Sequence, residues 1–346
     1  MDRKIEGTAV MMINIAVDVM GGDNAPVEII AGALDALEKF SDITITMIGT
    51  NEVLMTVDDR PRLMKKAASE VIEMAESPVK AIKSKKDSSM VVGMTMVRDG
   101  LCDAFVTAGS TGAAVAGGTL IIRRIEGIQR PALAPLIPTA DGGRVLLIDC
   151  GANVDCKSSY LRQFGIMGSA YMKAVMGIES PRVCLINNGA EEEKGNAVTK
   201  EAYQLLKDTP QVDFRGNAEG RDILSGKYDV AVCDGFVGNV FMKGLEGFAM
   251  MLLGMLKENL MSSRISAIGA LLSKGAFKKV KKQMDYTEYG GTPLLGIKGC
   301  LIKAHGNSDA KSMMNAIGQA VSFIKGNVLS LITKEISESA EATEED

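Results

Sequence analysis

The sequence predicts an α/β protein in which a largely parallel sheet is covered by helices, and three observations carry that expectation. Short runs rich in Val, Ile and Leu alternate with helical stretches through most of the chain. Each run ends in a loop containing Gly, Asn or Asp that leads into a helix. Aromatic residues make up 4% with no Trp, whereas Gly numbers 37 and Met 22, which suits tight turns and a core of aliphatic and thioether side chains. At 346 residues the chain is long enough for one large α/β domain or two closely joined lobes.

The elements follow in order. Residues 13–20 read as a strand ending in Gly21-Gly22-Asp23-Asn24-Ala25-Pro26, and Pro26 suits the first position of an apolar-periodic helix reaching about residue 40. Strands are expected at 43–48, 103–107, 144–149, 182–187 and 228–234. From about 238 to 284 the chain turns helical, with Gly254, Gly269 and Gly275 as candidate breaks. A short apolar strand at 300–304 and a terminal helix from about Ser308 complete the body. The expected organisation is an extension over 1–12, a large α/β body of one domain or two lobes over 13–334 with a helical hairpin at about 240–285, and an acidic tail over 335–346. Met11 or Met12 is a candidate natural start.

Composition excludes several function classes. The net charge is −4, yet Glu335, Glu338, Glu341, Glu344, Glu345 and Asp346 supply six acids at the end, leaving the rest at +2. That tail reads as a solvated, frayed terminus. His305 is the one histidine, so multi-His zinc and facial-triad iron sites cannot be built within one chain. The scarcity of aromatics argues against a base-stacking surface, and no nucleic-acid partner is expected. The six cysteines show no CxxC spacing, and four fall within or just after strand-like runs, as reduced, buried thiols would. The longest uncharged run, 104–122, is interrupted by Gly109, Gly112, Gly117 and Gly118 and reads as strand, turn and helix start rather than a membrane span. No signal peptide is visible.

The polar loops share one feature: all follow strands, and in open α/β sheets ligands bind beyond the carboxyl ends of strands. Gly, Asn and Asp are ordinary turn residues, so one such loop means little, but five at one edge point to a shared site. No GxGxxG follows the first strand, so a dinucleotide is not expected. The segment Gly151-Ala152-Asn153-Val154-Asp155-Cys156-Lys157-Ser158 misses a P-loop because Cys156 stands where a second Gly is needed, although its amides can still hold an anion. Gly109-Ser110-Thr111-Gly112 offers N–H groups at a helix start, a geometry suited to phosphate. The run from Asn187 to Asn196 carries three acids and then Lys194; it is either a solvated helix start or a place where a lysine neutralises phosphate or polarises a carbonyl. In Asp234-Gly235-Phe236-Val237-Gly238-Asn239, Asn239 either caps the long helix or meets substrate. His305 lies in a Gly- and Asn-flanked loop after a strand, as a structural residue or as a proton donor to a leaving thiol.

In order along the chain stand IAVDVMGGDNAP, SSMVVGM, TAGSTGA, RPALAPLIPT, DCGANVDCK, QFGIMGSAY, EEEKGN, NAEGRDI, CDGFVGNV, EYGGTPLLG and AHGNSDA. In these the sequence resembles the bacterial phosphate acyltransferase family, often called PlsX, from residue 13 to about 332. Asn188 and Ala190 depart from that pattern.

The resemblance implies a homodimeric enzyme with a three-layer α/β/α fold akin to phosphotransacetylases and isocitrate-type dehydrogenases, needing no cofactor and no metal. It implies transfer of a long-chain acyl group from acyl carrier protein to inorganic phosphate, in the cytoplasm or peripherally at a membrane. The acyl phosphate would then supply a membrane glycerol-3-phosphate acyltransferase. A short-chain phosphotransacetylase using acyl-CoA and a non-catalytic membrane scaffold are the alternatives. Phosphate is already a nucleophile, so the protein must hold two anions together rather than activate a side chain. Lys194 and Asn239 are assigned to that task, with His305 as a third catalytic candidate. Asp18, Gly22, Asp23, Ser110, Thr111, Gly112, Asn153, Asn187 and Asp234 are expected to line the site. At 264–284, Ile265, Ile268, Leu272, Phe277, Val280 and Met284 approximate an apolar stripe, with Lys274, Lys278, Lys279, Lys281 and Lys282 beside it. This segment is either an ordinary surface helix or a contact for an anionic membrane or the acidic carrier protein.

Overall fold

The structure is a computed structural model that describes residues 12–284 and 290–344, the side chains of 281–284 and 340–344 excepted; the expected extension over 1–11 lies outside it. The chain divides into two compact units, one running to Ile122 and resuming over Gly299–Ile324, the other comprising Arg123–Lys298 and the chain from Lys325.

The first unit begins with β1 (Ile13–Asp18), α1 (Val27–Lys39), β2 (Ile43–Gly49), α2 (Asn51–Met55), β3 (Leu63–Ala67), α3 (Pro78–Ser84), α4 (Ser89–Arg98), β4 (Ala104–Thr107) and α5 (Thr111–Gly117). The second contributes β5 (Ala132–Leu133), β6 (Leu136–Pro138), β7 (Arg144–Ile148), α6 (Ser158–Met176), β8 (Arg182–Ile186), α7 (Ala197–Lys207), β9 (Asp213–Ala218) and β10 (Val230–Val232). It continues through α8 (Gly235–Met261), α9 (Arg264–Leu272), α10 (Lys274–Met284) and β11 (Thr292–Leu295). The chain then returns to the first unit with β12 (Cys300–Lys303) and α11 (Ala310–Lys325), and ends in the second with α12 (Val328–Glu344).

Within the first unit the strands run parallel in the order β3-β2-β1-β4-β12. Ile15, Ala16, Val17, Ile45, Met47, Phe105 and Val106 are buried, the near-continuous apolar pattern of strands covered on both faces. Within the second, the order is β6-β7-β10-β8-β9, parallel except for β6, and β5 and β11 pair antiparallel. Val145, Leu147, Cys184, Ala231 and Cys233 pack into one cluster there.

Several expectations are corrected. Pro26 is the N-cap of α1 rather than its first helical residue. The long helical stretch breaks at Ser262-Ser263 and Ser273, not at glycines: the Ser263 hydroxyl accepts the Ser266 N–H and starts a new helix, and Gly254 and Gly269 lie inside helices facing open space. The acidic tail is helical through residue 344 and packed at least as far as Ser339. Ile336 and Ser339 are buried, and Glu335 meets Lys173 at 3.0 Å. Strands β3, β5, β6, β9 and β11 were not among those expected.

Candidate functional site

The second unit holds five of the twelve expected residues, at the carboxyl ends of its adjacent central strands. Parallel strands lie about 4.8 Å apart, so the loops after β7, β10 and β8 are immediate neighbours. A cleft of about 410 Å3 opens there, lined by Leu161, Ile186, Asn187, Asn188, Gly195, Asn196, Thr199, Cys233, Asp234 and Val237.

After β8, Asn187 braces the loop that carries Lys194. Its Nδ2 donates to the Lys194 carbonyl at 3.2 Å and to Asn217 Oδ1 at 3.1 Å, while its Oδ1 accepts the Asn188 N–H at 2.9 Å. Buried Asn217 in turn donates to the Glu191 carbonyl at 2.7 Å. Gly195 holds φ +97°, and Asn196 caps α7 by accepting the Thr199 N–H at 2.9 Å. Lys194 is exposed, its stem lying over Gly189, and its ammonium has no partner among the described residues. Glu192 is committed elsewhere, to Gln204 and Lys207, which hold its carboxyl below the usual range. The loop thus presents one unneutralised cation despite its three acids.

After β10, Asp234 caps α8 by accepting the Val237 N–H at 2.7 Å. The cap is therefore Asp234, not Asn239. Asn239 sits one turn in, half-buried, with its Cγ 3.6 Å from where a Gly151 side chain would begin; its amide has no hydrogen-bond partner among the described residues. After β7, Asp149 is fully buried, and Gly151 turns the loop at φ +111°. Burial pushes the Asp149 carboxyl up to about 6 against the pull of bonds from Leu133, Ala152 and Asn153. Asn153 spends its amide hydrogens on Asp149 and the Pro131 carbonyl, so it braces the loop instead of offering those donors to a ligand. Cys150 and Cys156 flank this loop with thiols raised to about 12 by burial first and by nearby carboxylates second.

The first unit gathers the rest. Asp18 is fully buried at the end of β1, where it accepts Thr107 Oγ1 at 2.7 Å and the Met20 N–H at 3.1 Å; burial raises its carboxyl. Gly22 follows at φ +105°, and exposed Asp23 donates its N–H to the Gly306 carbonyl at 2.7 Å. Ser110 is buried and caps α5 through the Ala113 N–H, whereas Thr111 and Gly112 are exposed. His305 is exposed, its Nδ1 2.7 Å from Asn307 Oδ1.

The structure therefore places Asn153, Asn187, Lys194, Asp234 and Asn239 on one unit, where Asn187 and Asp234 line the cleft and the other three stand in its loops and on α8. Asp18, Gly22, Asp23, Ser110, Thr111, Gly112 and His305 belong to the other. Sequence reasoning missed Asp149, Asn217 and Lys303. Lys303 is buried at the end of β12, where it donates to the Ala108 carbonyl at 3.2 Å and to that of Ala304. Burial lowers it to about 8 against the pull of Asp18 and Asp23. A lone charge in the apolar run Cys300–Lys303 was its available signal.

Parallel sheets with polar loops at their carboxyl ends, one of them carrying an exposed lysine, make this an α/β protein built to bind a ligand at that edge. Solved structures share the fold. A branched-chain phosphotransacylase from Enterococcus faecalis aligns over 90% of this chain and 100% of its own, with TM-score 0.58 and 14% identity. A phosphotransacetylase from Streptococcus pyogenes aligns over 93% and 96%, with TM-score 0.59 and 16% identity. The chain belongs to the family described as fatty acid synthesis protein, whose pattern matches residues 13–331. Among its relatives, the phosphate acyltransferase of Thermoanaerobacter pseudethanolicus is 51% identical over 325 residues, 94% of this chain and 97% of that one. That of Alkaliphilus oremlandii is 48% identical over 330 residues, 94% and 98% of the two chains.

Proposed function

We propose that this phosphate acyltransferase takes a long-chain acyl group from acyl carrier protein and delivers it to inorganic phosphate at the cleft of the second unit. The observation that carries the reading is the pairing of an unneutralised Lys194 ammonium with thiols held at about 12. The site can hold anions, and burial disfavours the thiolates of Cys150 and Cys156, so the reading has the attacking atom arrive with the substrate. A phosphate oxygen attacks the thioester carbonyl carbon, the carbonyl oxygen takes up negative charge, and the C–S bond breaks to release the thiolate. Lys194 opposes the charge of phosphate and oxyanion, and the Asn239 amide donates to one of them.

The exposed apolar surface of α8 and α9 supports a peripheral position at an anionic membrane. Met250, Ile265 and Leu272 are 71%, 85% and 83% exposed, and α8 is long and apolar enough to cross a bilayer by length and composition alone. Lys274, Lys278 and Lys279 are exposed on α10, and Phe277 is half-buried; the side chains of Lys281 and Lys282 lie outside the described residues. An apolar face beside lysines fits a lipid surface or the acidic carrier protein.

Supplying the protein with phosphate and either long-chain acyl–acyl carrier protein or short-chain acyl-CoA, and following acyl phosphate, tests the function. Product from the carrier-protein donor is expected. Product from short-chain acyl-CoA alone would reassign the chain as a phosphotransacetylase, and membrane binding without product would make it a scaffold.

A further inference from the structure

We propose that Asp149 is a positioning residue for acyl transfer: its buried side chain fixes the 151–153 loop and the start of α8, and through them the Asn239 amide. The inference rests on the reading of Asn239 as an oxyanion or phosphate donor.

Four donors converge on this one carboxylate. Oδ1 accepts the N–H of Leu133 at 2.9 Å and of Ala152 at 3.2 Å; Oδ2 accepts the Asn153 N–H at 2.6 Å and its Nδ2 at 3.0 Å. Three of these bonds go to the loop rather than to a neighbouring strand, so the charge organises the loop in particular. The helix is fixed to the same point. Gly235 N donates to the Asn153 carbonyl at 2.7 Å, and a side chain on Gly235 would begin 2.8 Å from Asp149 Oδ2. A side chain on Gly238 would run into the Asp149 carbonyl oxygen. Gly238 is demanded by the backbone at position 149, and Gly235 by the Asn153 carbonyl together with the Asp149 carboxylate; Asn239 follows Gly238, with its amide beside Gly151.

Asp149 itself is fully buried, so it acts only through these neighbours. Asn in its place keeps the size but turns an NH2 toward N–H donors, which must then separate. Displacing a reacting group by about 1 Å costs on the order of a hundredfold in rate.

The test compares full-length wild type, Asp149→Asn, Asn239→Ala and the double variant in acyl phosphate formation from long-chain acyl–acyl carrier protein, alongside thermal unfolding. The expectation is that Asp149→Asn lowers kcat on the order of a hundredfold with little change in either KM. The double variant should be no slower than Asn239→Ala, within about threefold, because both changes remove the same contact. A purely structural role would lower the melting temperature and leave kcat of the folded enzyme intact. If Asp149→Asn does not fold, Asn153→Ala removes one bond and should show a smaller loss, again absent in the Asn239→Ala background. Losses that multiply, or wild-type kcat in folded Asp149→Asn, would overturn the positioning role alone. An Asn239→Ala enzyme with full activity would overturn it along with the role of Asn239, and a wild type that makes no acyl phosphate would overturn the functional reading beneath both.

Discussion

Lys194 shows how little a catalytic assignment needs to cost the fold. Its ammonium touches nothing among the described residues, so Lys194→Ala should leave the melting temperature within the scatter of ordinary surface changes. Turnover should nevertheless drop on the order of a hundredfold or more, as when one preorganised donor to an oxyanion is lost. Wild-type rates at an unchanged melting temperature would remove Lys194 from the mechanism. Cys150 and Cys156 make the opposite case: thiols raised to about 12 are almost wholly protonated at neutral pH, so replacing both with Ala should leave most activity, and an acyl group trapped on either would refute direct phosphate attack. Asp149 gives a pH signature. Its folded value of about 6 lies above the ordinary 3.8, so between those values the folded state binds the extra proton. The contribution to stability is therefore greatest below about pH 4 and falls as pH rises to 6. Cys150, Cys156, Cys233 and Asp234 surround it, and Lys243 and Glu246 act on the adjoining Cys150; the forces on Asp149 itself are burial and its hydrogen bonds. Because the loop needs the carboxylate, kcat/KM should lose activity below pH 6 in wild type. In Asp149→Asn that limb should be absent while any limb from phosphate ionisation persists; an identical profile in both enzymes would refute the assignment.

At the level of elements, legibility follows burial. Strands β1, β2, β4, β7 and β8 were visible because both faces are covered and their sequences are apolar runs. The missed strands β3 and β9 are edge strands reading LMKKA and DFRGNA; an edge facing water carries charge rather than a hydrophobic pattern. Lys194 and Asn239 can be put forward from sequence because polar loops after strands are a local signal. Asp149 and Lys303 could not, since what singles them out is burial supplied by distant segments. The start of α8 tests how tightly element and site are joined: Gly238→Ala forces a methyl against the Asp149 carbonyl oxygen and should destabilise by about 1–3 kcal/mol, more than Gly254→Ala, which faces open space. Equal melting temperatures for the two variants would contradict that packing. Further along, changing Lys274, Lys278 and Lys279 to Glu should weaken sedimentation with anionic liposomes, binding of the carrier protein, or both, and added salt should mimic the change. If both interactions survive salt and mutation, α9 and α10 carry neither.

For the whole molecule, the sequence announced the class of fold but not its division. The glycines near two of the boundaries, Gly117 and Gly118 before Ile122 and Gly290, Gly291, Gly296 and Gly299 around Lys298, look like those of the ordinary loops elsewhere in this Gly-rich chain, so they do not mark a division. The register is equally hidden: β12 pairs with β4, Cys300 opposite Ala104, across nearly two hundred residues of sequence. Residues 12–122 expressed alone should therefore aggregate or remain unfolded, and adding residues 299–325 in trans should recover soluble material; a stable, soluble 12–122 fragment would show that β12 is dispensable. The same pairing sets a clock on synthesis. When β4 leaves the ribosome its partner has not been made, and residues 123–298 must be translated first, which at about 5–20 residues per second takes on the order of 10–35 s. Through that interval one side of an apolar strand, Ala104–Thr107, stands without its mate, an aggregation hazard whose duration is set by the length of the inserted unit.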